Sequence, residues 1–168
     1  RLQPVKFDIS FLQPLRLMNW LTLSKVKHLL KGNPMNQEIL KKMMSNTLGE
    51  SLGIDITKVE DGYVEGTMPV DHRTHQPYGL LHGGASVALA ETLGSVGSHF
   101  LVADQGKGAV GIEVNANHVK GKRDGIVTGK AKLAHKGGRL HVWTIDIVDE
   151  DDQLIATSRL TVMIVPAR

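Results

Sequence analysis

Between His82 and Val102 the chain carries two ionisable groups, Glu91 and His99, in a run otherwise made of small and apolar residues. Burying an unpaired carboxylate is costly, and Glu is among the residue types least often fully buried. Glu91 is therefore either a group that reaches water through a cleft, kept there for chemistry, or a core carboxylate paired with Arg or Lys. Read as chemistry, the surroundings supply complementary parts. His82-Gly83-Gly84 would form the first turn of a helix, where backbone N–H groups lack intrahelical partners and the dipole is positive. The Gly83 N–H could polarise a carbonyl and stabilise an oxyanion there. Glu91 could act as a nucleophile or as a base toward water. Ser95 lies one turn further on the same face and could orient Glu91 or a water. Gln76 and His82 could donate to the carboxylate or to a substrate. The plainer alternative is that the Gly pair serves packing and that Gln76, His82 and Ser95 are structural.

Spacing adds a constraint. Gly83 and Glu91 are eight residues apart, which is about 12 Å along one helix at about 1.5 Å per residue. One reacting centre cannot touch both. If both act on the same bond they must come from two protomers, which predicts a homodimer with antiparallel central helices and two equivalent sites.

The element that carries these groups spans about residues 83–102, with Leu89, Leu93, Val96 and Phe100 at helical spacing. Its many small residues lower helix propensity, so they imply close approach of other backbone, as from a sheet wrapped around the helix. The run approaches the length of a membrane span, but its mid-run carboxylate, its histidine and the strand patterns that follow argue against that role. Ahead of it, Asn33-Pro34 has the form of an N-cap and first helical residue. Ile39, Leu40, Met43, Met44 and Leu48 continue a helix that Gly49 or Gly53 would stop. From Ile54 the period becomes two, and Asp61-Gly62 sits between two strand patterns as a hairpin turn. Four further strands are predicted over 110–118, 126–134, 140–148 and 154–165, as an antiparallel meander. The order is that of an α+β fold.

The chain has 168 residues, enough for one domain with a sizeable core, and no cysteine. Disulfides, thiol catalysis and thiolate metal sites are thereby excluded, and the composition suits a reducing, cytoplasmic compartment. The net charge of +3 is uneven: residues 1–42 hold eight Lys and Arg against two acids, and the rest twelve against fifteen. Residues 1–34 are read as an N-terminal extension, with Met35 a plausible start of the domain at 35–168. A basic amphipathic helix at about 19–31 could be a membrane-surface or targeting segment, but the plainer alternatives, a helix packed on the domain or sequence added upstream of the natural start, are favoured. Nucleic acid is not expected, because no basic stripe with interleaved aromatics is present. His72 and His75 lack a third ligand, so no metal is expected. A basic cluster of Lys120, Lys122, Arg123, Lys130, Lys132, Lys136 and Arg139, with only Asp124 against it, lies among Gly-rich turns and could hold phosphates or be a solvated face.

The block HQPYGLLHGGASVALAE resembles the central motif of hotdog-fold acyl-CoA thioesterases, in the branch containing 4-hydroxybenzoyl-CoA and 1,4-dihydroxy-2-naphthoyl-CoA thioesterases. VNANHVK and HKGGRLHVW are similar to the second of these. The resemblance covers about residues 36–165. It implies a hotdog fold, in which an antiparallel sheet wraps a long helix, and a tetramer built from dimers. It implies hydrolysis of an acyl-CoA, aromatic or broad in range, without a cofactor. Glu91 would be the catalytic carboxylate, Gly83 the thioester-polarising amide, and Gln76, His82 and Ser95 supporting groups. Acyl-CoA contacts would fall on Gly111, on His118, Val119, Lys120 and Gly121, and on His135, Lys136, Gly137, Gly138, Arg139 and Leu140. Leu140 stands where relatives can carry a polar residue, and the spacing from Glu91 to Gly111 differs from theirs by about one residue. A hydratase or dehydratase acting on acyl thioesters would need a histidine acid/base instead of Glu91. A non-catalytic acyl-CoA-binding protein would gain nothing from a bare carboxylate beside the thioester.

Overall fold

The structure, a computed structural model, describes residues 34–166. The basic helix expected at 19–31, and all but the last residue of the expected extension, lie outside the described residues. Two short helices come first, α1 (Pro34–Met44) and α2 (Leu48–Leu52). The single helix expected from Pro34 to Leu48 is thus broken at residues 45–47. α2 stops at Gly53, whose φ of 71° is the left-handed cap conformation that glycine adopts without a Cβ clash. Strands β1 (Asp55–Glu60) and β2 (Tyr63–Pro69) form the expected hairpin about Asp61-Gly62. The central helix α3 (Gly83–Val102) follows, and then a 3₁₀ turn (Ala103–Gln105). The remaining strands are β3 (Lys107–His118), β4 (Ile126–Lys136), β5 (Leu140–Val148) and β6 (Leu154–Pro166).

All neighbouring strands are antiparallel, and the sheet order is β1-β2-β4-β5-β6-β3. The expected meander therefore holds for β4, β5 and β6 but not for β3. β3 lies at the edge beyond β6, and β2 takes the place beside β4. The cause is α3, which touches every strand. The chain leaves β2, crosses the sheet as α3 and re-enters at the opposite edge. This α+β arrangement, a sheet around one long helix, is the hotdog fold.

The core lies between α3 and the inner face of the sheet. Leu89 and Leu93 of the helix meet Trp143, Ile145 and Ile147 of β5 and Leu160 and Val162 of β6, all buried. The small helical residues are explained by side chains rather than by approaching backbone. A Cβ on Gly94 would lie 2.5 Å from Leu160 Cδ2, and one on Gly97 2.5 Å from Trp143 Cη2. The fit is reciprocal, since a Cβ on Gly129 in β4 would lie 2.5 Å from Leu93 Cδ1. Within this contact the Trp143 Nε1–H donates to Ser98 Oγ at 2.8 Å, satisfying a polar group that would be costly to bury alone. By length and apolarity α3 with its 3₁₀ turn would pass for a membrane span, but more than half of it is buried inside the fold, as in the core helix of a globular domain.

Candidate active site

α3 starts at Gly83, and His82 is its N-cap rather than part of its first turn. The His82 backbone is extended, and its Nδ1 accepts the Gly84 N–H at 2.8 Å. That bond satisfies one of the free N–H groups of the first turn and leaves His82 Nε2 for other contacts. Gly83, as the first helical residue, keeps an N–H with no intrahelical acceptor. The loop ahead is held by its own backbone. His82 N–H donates to Thr74 O at 2.8 Å, Gln76 N–H to Leu80 O at 2.8 Å, and Gly79 N–H to Gln76 O at 2.9 Å. Gln76 Oε1 accepts the Tyr78 N–H at 2.6 Å. The Gln76 carboxamide therefore has its NH₂ left to donate.

Glu91 is exposed and forms no ion pair among the described residues, which removes the alternative of a paired core carboxylate. Gly111 of β3 abuts it: a Cβ there would lie 2.7 Å from Glu91 Oε1. The β3–β6 register shifts between Gly111 and Glu113, so Ile112, the residue after Gly111, is bulged. Such bulges re-aim neighbouring groups. Ser95 is half-buried, one turn beyond Glu91. At the other end of β3, His118 Nε2 would lie 2.7 Å from a Cβ on Gly83. One strand thus presents a residue to the carboxylate and another to the helix N-terminus. These two residues are seven apart in β3, about 23 Å at about 3.3 Å per residue.

The register divides the expected substrate contacts between these two ends. Gly111 pairs with Val162, which pairs with His141; Val110 pairs with Met163, which pairs with Leu140. The β4–β5 turn, with His135, Lys136, Gly137, Gly138, Arg139 and Leu140, therefore sits at the Glu91 end. The His135 ring lies against Gly137, and Gly137 N–H donates to Leu140 O at 2.8 Å. At the Gly83 end His118 pairs with Ala156, which pairs with Ile147. Val119, Lys120 and Gly121 follow His118 there, with the Val119 N–H donating to Ile155 O at 2.9 Å.

The basic cluster read from the sequence is split in the same way, and its charge balance changes. The acidic β5–β6 turn folds onto its Lys120 end. Lys120 Nζ lies 3.0 Å from Asp149 Oδ2, Lys130 Nζ 2.5 Å from Asp152 Oδ1, and Lys122 is paired with Glu150. The Gln153 backbone N–H, then Lys120, hold the Asp149 carboxyl below the usual carboxylate range. Glu150 is pushed down to about 2, first by Lys122 and next by the Ile126 N–H. Sequence reading set only Asp124 against these lysines. The run of acids at 149–152 was visible there, but only as a turn. His141 was also missed. It is buried, with an unpaired Nδ1, at the Glu91 end of the inner sheet face.

Comparison with known proteins bears on the family and the fold. The family model for the thioesterase superfamily matches residues 78–156. The 1,4-dihydroxy-2-naphthoyl-CoA hydrolase of Escherichia coli is 47% identical over 127 residues, 76% of this chain and 93% of that one. The proofreading thioesterase EntH of Cronobacter turicensis is 46% identical over 127 residues, 76% of this chain and 92% of that one. Among solved structures, a Haemophilus influenzae thioesterase superposes with a TM-score of 0.74 at 45% identity, covering 77% of this chain and 90% of that one.

Proposed function

The chain belongs to the thioesterase superfamily and is a thioester hydrolase, and from that premise we propose that its substrate is an acyl-CoA held between Glu91 of one protomer and Gly83 of its partner. The Gly83 N–H polarises the thioester carbonyl from the positive end of α3. Glu91 attacks the carbonyl carbon or takes a proton from the water that does. The tetrahedral oxyanion collapses with loss of the CoA thiolate, which takes up a proton. On the water route this gives the free acid directly; on the direct route it gives a mixed anhydride with Glu91 that a water then hydrolyses to the free acid, restoring the carboxylate. Gln76, His82 and Ser95 hold the carboxylate, the carbonyl or the water. An aromatic acyl group is favoured, in keeping with the name of the Escherichia coli relative. The observation that carries this proposal is an exposed carboxylate and a helix N-terminal amide on one helix, about 12 Å apart.

That separation also supports the dimer. Two antiparallel copies of α3 would bring Glu91 level with the partner's Gly83 when the two-fold axis passes near Val87. β3 is an edge strand, and Val110 and Ile112 on it are 52% and 49% exposed. An uncovered edge with apolar side chains is normally paired or buried. The row Val110–Met163–Leu140 extends that apolar surface across three strands, which is in keeping with further assembly into a tetramer. The cytoplasm is the proposed location.

The test is thiol release from a panel of aliphatic and aromatic acyl-CoAs by wild type and Glu91→Ala, with a loss of at least about 10²-fold expected in the variant. Subunit mixing tests the shared site. Glu91→Ala and Gly83→Pro chains are each inactive, but their heterodimer contains one intact site. Random pairing should restore about a quarter of wild-type activity if the site spans two protomers. No recovery in a demonstrated heterodimer would place both groups in one chain and refute the arrangement.

A further inference from the structure

The strip from Gly121 to Gly125 backs the loop that carries Gln76, His82 and Gly83. Leu81 N–H donates to Lys122 O at 2.7 Å, and the Leu80 side chain packs 3.5 Å from where a Gly121 Cβ would be. The His75 Nε2–H donates to Arg123 O at 2.7 Å, and Val70 N–H donates to Gly125 O at 2.8 Å. The strip is itself held by one carboxylate. Glu150 pairs with the Lys122 ammonium through one oxygen and accepts the Ile126 N–H at 2.7 Å through the other. Gly125 has a φ of 84°, and Glu150 occupies the place its Cβ would take, so a side chain at 125 is excluded twice. An exposed ion pair contributes little. This one differs in that the Lys122 side chain is only 17% exposed and the same carboxylate also holds a backbone N–H.

Lys122 thus has its ammonium spent on Glu150 and its carbonyl on Leu81, two residues before the amide that polarises the thioester. We propose that Lys122 and Glu150 are a positioning pair for the Gly83 amide, and that Lys122 is not a ligand for the phosphates of CoA. The inference rests on the thioesterase site proposed above. It gives the acidic β5–β6 turn a role in catalysis without contact with substrate, through the chain Glu150, Lys122, Leu81, Gly83.

The experiment compares kcat and KM of the full-length chain on an acyl-CoA and on the same acyl group carried by N-acetylcysteamine, which lacks the nucleotide and its phosphates. Misplacing a catalytic group by about 1 Å can cost about 10²-fold, so Lys122→Met should lower kcat by about 10-fold or more. The loss should be equal on both thioesters, with the ratio of their KM values unchanged, and Lys122→Arg should recover most of it. Glu150→Gln keeps an acceptor for Ile126 N–H and guards against a folding failure of Lys122→Met. It should behave alike, and the double variant should be no worse than the worse single one, as expected of groups acting as a unit. A rise in KM for the CoA ester alone, with kcat intact, would make Lys122 a phosphate ligand and overturn the proposal while leaving the thioesterase site standing. Unchanged kinetics in both variants would also overturn it. A wild type silent on every thioester would sink the thioesterase site itself and this inference with it.

Discussion

Gly111→Ala isolates the position of the carboxylate from its chemistry. An ideal Cβ at residue 111 would lie 2.7 Å from Glu91 Oε1, 3.5 Å from Cδ and 3.6 Å from Cγ. Comfortable heavy-atom contacts lie near 3.5 Å, so Oε1 must retreat by about 0.8 Å while the rest of the side chain stays in ordinary contact. Gly111 is not among the glycines with positive φ, and alanine fits its backbone. Glu91 is exposed, so the carboxylate can swing away and the fold should lose little. The cost falls on geometry. A displacement of about 1 Å is worth up to about 10²-fold, so kcat should drop by about 10- to 100-fold, equivalent to about 1.4–2.7 kcal/mol of barrier. Steady-state thiol release measures this, with the midpoint of urea unfolding as the control for folding. The decisive comparison is the same substitution in a Glu91→Gln background, where the methyl has no catalytic carboxylate left to displace. A wild-type kcat for Gly111→Ala would refute the contact's importance. An equal further loss in the Glu91→Gln background would show that the methyl acts by another route.

Other outcomes follow from the core and its charges. Gly97→Ala places a methyl 2.5 Å from Trp143 Cη2 and 2.9 Å from Val64 Cγ2; urea unfolding should show a loss of about 1–3 kcal/mol from overpacking. Ser98→Ala leaves the buried Trp143 Nε1–H without its acceptor and should cost about 1–3 kcal/mol by the same measurement. The Glu150 carboxyl is lowered from 4.5 to about 2 in the fold, so its contribution is complete above pH 4.5 and is lost as pH falls toward 2. Melting temperatures of wild type and Glu150→Gln should therefore differ at neutral pH and converge in acid. Burial holds His99 below 6.5, and burial with Lys136 and His135 does the same for His141. The unfolded chain then takes up protons below pH 6.5 that the native state resists, so stability present above 6.5 declines as pH falls, and His141→Phe should flatten that decline.

What was legible in the sequence was local or periodic. The helix at Gly83, the hairpin at Asp61-Gly62 and the strand at 140–148 each carry their own turn and period signals. Trp143, Ile145 and Ile147 face inward together because side chains alternate along a strand. What was not legible depends on pairing between distant segments. Nothing in residues 107–118 says that they pair with β6 at an edge rather than with β4. The bulge at Ile112 appears only once Gly111 and Glu113 are registered against Val162 and Thr161. Asp149, Glu150 and Asp152 read as a turn because the lysines they neutralise lie 22–29 residues away in sequence. The use of His82 as a cap was missed for another reason. Ser, Thr, Asp and Asn are the usual N-cap residues, and an imidazole in that place reads more readily as chemistry.

The division of the site between two ends of the sheet follows from the same register. The row Gly111–Val162–His141 belongs to Glu91, and the row His118–Ala156–Ile147 belongs to Gly83. Each chain therefore contains a carboxylate half with the β4–β5 turn and an amide half with the segment after β3. A two-fold axis that sets Glu91 against the partner's Gly83 also sets Gly111, Arg139 and Leu140 against the partner's own amide half. In such a dimer the substrate contacts expected over residues 111–140 would converge twice, once in each composite site. In the proposed dimer a clasp such as Lys122–Glu150 then matters: the amide half must be rigid within its own chain, because the carboxylate it would serve belongs to the partner.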